Sequence, residues 1–171
     1  MRLFLLFASA IFLSSCFSAI SPHNIATKTM NQEAFPKDLA SPQYTLLIMK
    51  WDKNKGPYSG PKWEKAIAKT SKQLEELAAG LKYSAIAVTT EDLNSGKYDD
   101  VSKYRYVLQC YDEMTKVTTR TTTAGHYVSE SDTYMLEMYF TDRMENKEYP
   151  STKYQVASYV YGVKLATAHY Q

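Results

Sequence analysis

The sequence predicts an α+β fold: one mainly antiparallel sheet, entered through a strand–helix–strand crossover, with a long helix and a C-terminal helix packed on it. Three observations lead there. An apolar run of strand length precedes a long amphipathic stripe, tyrosine- and threonine-rich segments then alternate with a period of two, and the final residues return to helical spacing.

Taken in order, the run 44–51 contains Leu46, Leu47, Ile48 and Met49 in unbroken succession, which suits a strand covered on both faces. Gly56, Pro57, Gly60 and Pro61 then crowd a short loop, and a proline fits the first turn of a helix because the N–H it lacks has no partner there anyway. Trp63, Ala66, Ile67, Thr70, Leu74, Leu77, Ala78 and Leu81 follow at spacings of three and four, with Gly80 placed to close the helix in a left-handed cap. Such a helix rises about 27 Å, close to the length of an eight-residue strand, so it brings the chain back to the edge where it started. The next apolar run, 83–90, is therefore expected to lie parallel to the first through a right-handed crossover. Asn94, Ser95, Gly96, Asp99 and Asp100 mark a loop before a strand at 104–111, which turns through 112–116 into the threonine-rich stretch 117–128. Tyr134, Leu136, Met138 and Phe140 on one face, a charged turn at 142–147 and a return through Tyr154 predict a further hairpin, with Glu137 facing outward. Val156, Tyr159, Val160, Val163, Ala166, Thr167 and Tyr170 predict the last helix, although Gly162 lowers its propensity.

The front of the chain reads differently. Arg2 precedes an apolar core from Leu3 to Leu13 that is too short to span a bilayer, and Leu13-Ser14-Ser15-Cys16 follows it directly. An ordinary secretory cut after Ala19 would leave Phe17 in a slot that wants a small residue. The segment resembles a bacterial lipoprotein signal, which implies cleavage before Cys16 and lipidation of its thiol, with a palmitate-type acyl chain on the new amine. Residues 1–15 are then signal peptide, 16–43 a lipidated N-terminus and extended tether with Pro22, Pro36 and Pro42, and 44–171 one globular domain. In such lipoproteins an acidic residue after the cysteine marks inner-membrane retention; Phe17 stands there instead, which favours the outer membrane, facing the periplasm.

The composition narrows the function classes. Lys and Arg number 20 against 18 Asp and Glu, a balance that argues against a nucleic-acid partner. Fifteen tyrosines suit strands and amphipathic contact surfaces. With Cys16 lipidated, Cys110 has no intrachain partner, and its place in the alternation Tyr104, Tyr106, Leu108, Cys110 makes it a buried structural thiol. His23, His126 and His169 are too far apart for metal-ligand spacing, so no metal and no cofactor are expected. Ser59 lacks the first glycine of a nucleophile elbow. The acid pairs Glu91-Asp92, Asp99-Asp100 and Asp112-Glu113 fall at strand ends and loops, where solvated charge is the ordinary role. Asp142, Glu145 and Asn146 lack the spacing of a calcium loop.

With the element order set out, the domain resembles small α/β modules of cell-envelope lipoproteins, such as activators of penicillin-binding synthases and the curli secretion lipoprotein. The likeness rests on Tyr104-Arg105-Tyr106-Val107-Leu108-Gln109 and on the stretch 134–150, in which 134–142 resembles a penultimate strand ending in Asp before a turn and a return strand. The expected function is a non-enzymatic, membrane-tethered accessory factor that docks onto an envelope protein. Trp51 and Tyr58, flanking the turn-rich loop, are the candidate contacts for partner or ligand. The alternative is a binding module for a small or polymeric envelope ligand seated at loop 56–61, between a strand and a helix start.

Overall fold

A computed structural model describes residues 31–51, 61–111, 115–123 and 127–170. Its strands are β1 (Leu46–Met49), β2 (Ala85–Val88), β3 (Tyr106–Cys110), β4 (Thr115–Thr123), β5 (Tyr127–Asp142), β6 (Lys147–Glu148) and β7 (Thr152–Val156). The helices are α1 (Pro61–Ala79), α2 (Thr90–Asn94) and α3 (Tyr159–Ala168). The expected α+β class holds, with a mixed sheet in the order β2-β1-β3-β5-β4 and with β6 and β7 also pairing to β5.

The first crossover runs as expected: β1 and β2 are parallel, Leu46 opposite Ala85 and Met49 opposite Val88. A second parallel pairing was not anticipated, with Leu47 and Ile48 of β1 beside Val107 and Leu108 of β3. The chain leaves β2, crosses β1 and enters the sheet on its other side, so β1 is central to a three-stranded parallel block. That explains why all four of its side chains are buried. The remaining pairings are antiparallel.

β5 is the longest strand and joins two regions. Its C-terminal half pairs with β3 from Cys110↔Met138 to Tyr106↔Asp142 and, on its other edge, with β7 and β6. Its N-terminal half pairs with β4 from Thr115↔Met135 to Thr123↔Tyr127. The threonine-rich stretch therefore ends at Thr123, and Tyr127 and Val128, expected within it, open the returning strand.

One sheet face carries α1, α3 and the main core. Leu46, Ile48, Tyr106, Leu108, Leu136, Met138, Phe140, Tyr154 and Val156 meet Leu74 and Ala78 of α1 and Val163, Leu165 and Ala166 of α3. The α1 stripe is the expected one, except that Ala66 is exposed. Gly80 closes the helix by donating to the carbonyls of Glu76 and Leu77 without a positive φ, so the left-handed cap is not used. Gly162 has a packing reason that outweighs its poor propensity: a Cβ there would stand 2.9 Å from Leu136 Cδ1 and 3.3 Å from Met138 Sδ. Helix α3 starts later than its pattern suggests, because Val156 belongs to β7 and Ser158 caps the helix by accepting from the Tyr161 amide. On the opposite face, Leu47, Met49, Val88 and Val107 form a smaller core with Tyr98, flanked by Leu93 and Tyr104.

The folded body begins earlier than expected. Ala34, Phe35 and Leu39 are buried in the main core, so residues 31–43 are a docked strap and not part of a free tether. The physical reason is apolar: Phe35 stacks on His169 with ring centroids 4.5 Å apart and packs near Phe140 and Tyr170. Buried tyrosines add polar stitches. Tyr159 donates to the Met49 carbonyl at 2.7 Å, Tyr170 to that of Pro36 at 2.8 Å, and Tyr83 to that of Thr167 at 3.3 Å.

Leu74, with no exposed surface, should lose about 2 to 5 kcal/mol of stability on truncation to Ala, and the half-buried Leu77 clearly less. Chemical denaturation of the two variants measures the difference, and the reverse order would mean that the helix face is misassigned.

Candidate functional site

Among the described residues, three places gather chemistry-bearing side chains. The first is a charged hub at the start of β3. The Arg105 Nε donates to both carboxylate oxygens of Asp142, at 3.1 and 2.9 Å, and its Nη2 to Asp142 Oδ2 at 2.7 Å. Nη2 also reaches Glu145 at 2.9 Å, while Nη1 contacts Asp38 at 3.3 Å and the Tyr44 hydroxyl at 3.0 Å. Asp142 has no exposed surface, and its Oδ1 accepts from the backbone amides of Met144 and Glu145. Burial alone would raise the Asp142 pKa; the guanidinium and those two amides outweigh it and hold the carboxyl below its ordinary range. The Tyr106 hydroxyl donates to Asp38 at 2.5 Å, and burial followed by that contact pushes the phenol well above its usual value. Beside the hub lies an open cleft of about 780 Å³ between strap and β5–β6 turn, lined by Phe35, Lys37, Arg105, Tyr106, Glu145 and Tyr149 among others. Every donor direction of Arg105 is committed to the protein itself, so this group holds the strap and turn.

The second place is the sheet face turned away from the main core on β3, β5 and β7. The small core covers this face only as far as β1, β2 and part of β3. Beyond it Gln109, Met135, Glu137, Tyr139 and Thr141 are half-buried, and Tyr111, Lys153 and Gln155 are exposed. Tyr111 stacks on Tyr139 with centroids 4.3 Å apart, and its hydroxyl donates to Glu148, which pushes its pKa up to about 12. Gln109 donates to Thr141 at 3.1 Å, Gln155 to Thr133 at 2.9 Å, and Glu137 accepts from Ser151 and pairs with Lys153. These cross-strand contacts give a surface with an aromatic centre and polar surroundings.

The third is a small crevice at the carboxyl ends of β1 and β2, lined by Lys50, Trp51, Ile67, Ser71, Thr89, Thr90 and Glu91. Trp51 is half-buried and meets Tyr159 edge-on at 5.1 Å. The ring thus has a packing role in addition to lining the crevice. Thr89 accepts from the Asp92 amide at 3.0 Å while Asp92 accepts back from the Thr89 amide at 3.2 Å, a capping box that opens α2.

Cys16, His23, Tyr58, Ser59, His126, Asp112 and Glu113 lie outside the described residues, as does loop 56–61 up to the helix start at Pro61. Asp92 and Asp100 serve as local acceptors, the latter for the Ser102 amide at 3.1 Å. Cys110 shares the main-core face with Tyr106 and Leu108, as expected, but it is half-buried where a buried thiol was expected, and Tyr104 packs against the opposite core because the strand starts only at Tyr106. Sequence reasoning missed the hub. Its one legible trace was charge at the ends of two strands: Arg105 just before β3 and Asp142 at the close of β5, partners that the register alone brings together. Comparison with protein-family models and with curated proteins finds no match to this chain.

Breaking the hub should be costly, because Asp142→Asn removes the one buried carboxylate and leaves the guanidinium with only the half-exposed Asp38 and Glu145: the expected loss is about 3 to 5 kcal/mol in urea denaturation. The pH dependence follows from the lowered pKa. An unfolded Asp142 binds its proton first as pH falls, so its stabilisation is complete above about pH 4 and fades as pH drops through the lower folded value. In Asp142→Asn this part of the acid sensitivity below about pH 4 should disappear, and an unchanged acid limb in denaturation curves would refute the assignment.

Proposed function

We propose that the protein is a lipid-anchored component of the bacterial cell envelope that works by docking onto another envelope protein, without catalysis of its own. The observation that carries the docking reading is the open face of β3, β5 and β7, where Tyr111 and Tyr139 stack in a setting of amide, hydroxyl and charged groups. Aromatic anchors ringed by polar groups are the usual make-up of protein interfaces. The anchor reading rests on Arg2, the apolar core and Cys16, with the outer membrane, facing the periplasm, as the favoured site. Among the described residues no helix is long and apolar enough to cross a membrane, so Cys16 would carry the attachment. Two or three acyl chains hold a protein at a bilayer nearly permanently, which suits a protein that acts by staying in place. The docked strap adds to this, since it ties the tether firmly to the domain.

The second reading, a binding module for a small or polymeric envelope ligand near loop 56–61, is favoured by the crevice beside Trp51 at the ends of two parallel strands.

Replacing Cys16 by Ser should move the protein from the membrane to the soluble fraction on cell fractionation; unchanged membrane association would end the lipoprotein reading. A photo-crosslinking residue at position 111 or 139 should capture an envelope protein in intact cells, and one at exposed Lys82, on another part of the surface, should not. Equal capture from all three positions, or none from 111 and 139, would remove this face as the docking surface.

A further inference from the structure

We propose that the crevice between β1, β2 and α1 is a subsite for a single neutral sugar ring, a pyranose unit of an envelope glycan. This rests on the ligand-binding reading and is independent of protein docking. Size comes first. The crevice holds about 180 Å³, below the roughly 300 Å³ at which pockets for drug-sized ligands begin. That is room for one small ring between its walls.

Charge narrows the class. Among the described residues Lys50 is the one cation in the lining, and its ammonium lies 2.5 Å from Glu75, so its charge is already matched. Glu91 adds an exposed carboxylate at the rim. The described lining therefore has no positive surplus to attract a phosphate or carboxylate.

The remaining chemistry matches a pyranose on both of its aspects. A sugar ring presents C–H groups on its faces and hydroxyls around its edge. Trp51 and Ile67 supply the apolar contact, and Trp51 is braced by Tyr159, whose hydroxyl donates to the Met49 carbonyl at 2.7 Å. Ser71 and Thr90 carry hydroxyls able both to donate and to accept, Lys50 donates and Glu91 accepts. Thr89, locked in its capping box, makes a rigid wall. The elements are also fixed in place: Lys50 N donates to the Val88 carbonyl at 2.8 Å, joining the two strand ends that form the floor.

The test uses the full chain purified in detergent, titrated with N-acetylglucosamine and glucose, and in parallel with inorganic phosphate and methylammonium. Backbone amide shifts of Ser71, Thr89 and Thr90 and tryptophan fluorescence report binding. The expected result is saturable shifts at those amides with at least one sugar and none with the two ions. Ser71→Met, a change to a better helix former, should fill the crevice and weaken binding at least about tenfold, with the fold confirmed by circular dichroism. Glu91→Gln should weaken it less. Shifts with phosphate or methylammonium but not with sugars would overturn the sugar assignment and leave a ligand site standing. No shift with any probe would overturn both, and undiminished sugar binding by folded Ser71→Met would place the site elsewhere and overturn the proposal.

Discussion

The Arg105 guanidinium is the point on which separate parts of the chain converge. It grips the buried Asp142 at the end of β5, reaches Glu145 in the following turn, touches Tyr44 just ahead of β1 and meets Asp38 in the strap. Of the three ion pairs, the Asp142 one is the most sheltered; Asp38 and Glu145 are about half exposed, so water screens those two pairs and they contribute little by themselves. The strength lies in geometry. A planar fork with fixed donor directions meets a carboxylate whose other lone pairs are taken by the Met144 and Glu145 amides, and no part of the set is left unsatisfied.

That hub explains why the strap belongs to the fold. Phe35 and Leu39 provide the apolar gain of docking, but a hydrophobic contact is non-directional and would tolerate slippage. Asp38 fixes the position through Arg105 and Tyr106, and Tyr170 fixes it again through the Pro36 carbonyl. The many tyrosines thus serve chiefly as core residues with a bonded tip, and the exposed Tyr111, stacked on the half-buried Tyr139, stands apart from them. The contrast between the buried interior tyrosines and this stacked surface pair is what singles out the open sheet face.

Much of the architecture was legible because it follows from periodicity. The α1 stripe, the parallel β1–β2 crossover and the hairpin that turns after Asp142 all come from spacing and length. Three features were not. The parallel pairing of β3 with β1 depends on which side of the sheet a long loop chooses, and no local pattern encodes that side. The strap has no periodicity, so its buried Phe35 and Leu39 looked like isolated apolar residues in a tether. The hub unites residues 38, 44, 105, 142 and 145, and its partners become visible only once the β3–β5 register places Tyr106 opposite Asp142. The crevice was half legible: Trp51 and a strand-to-helix junction marked the place, whereas Thr89, Thr90 and Glu91 come from a different strand end.

The central claim is that Arg105 makes the strap and the β5–β6 turn one cooperative unit with the sheet. Native-state amide hydrogen exchange on Arg105→Lys, which keeps the charge and loses the fork, tests it most directly. The account predicts faster exchange at Tyr44, Thr45, Met144 and Glu145, with protection kept at Ile48 and Val88 in the parallel block. Unchanged exchange at the first four amides, or an equal loss across all six, would contradict it.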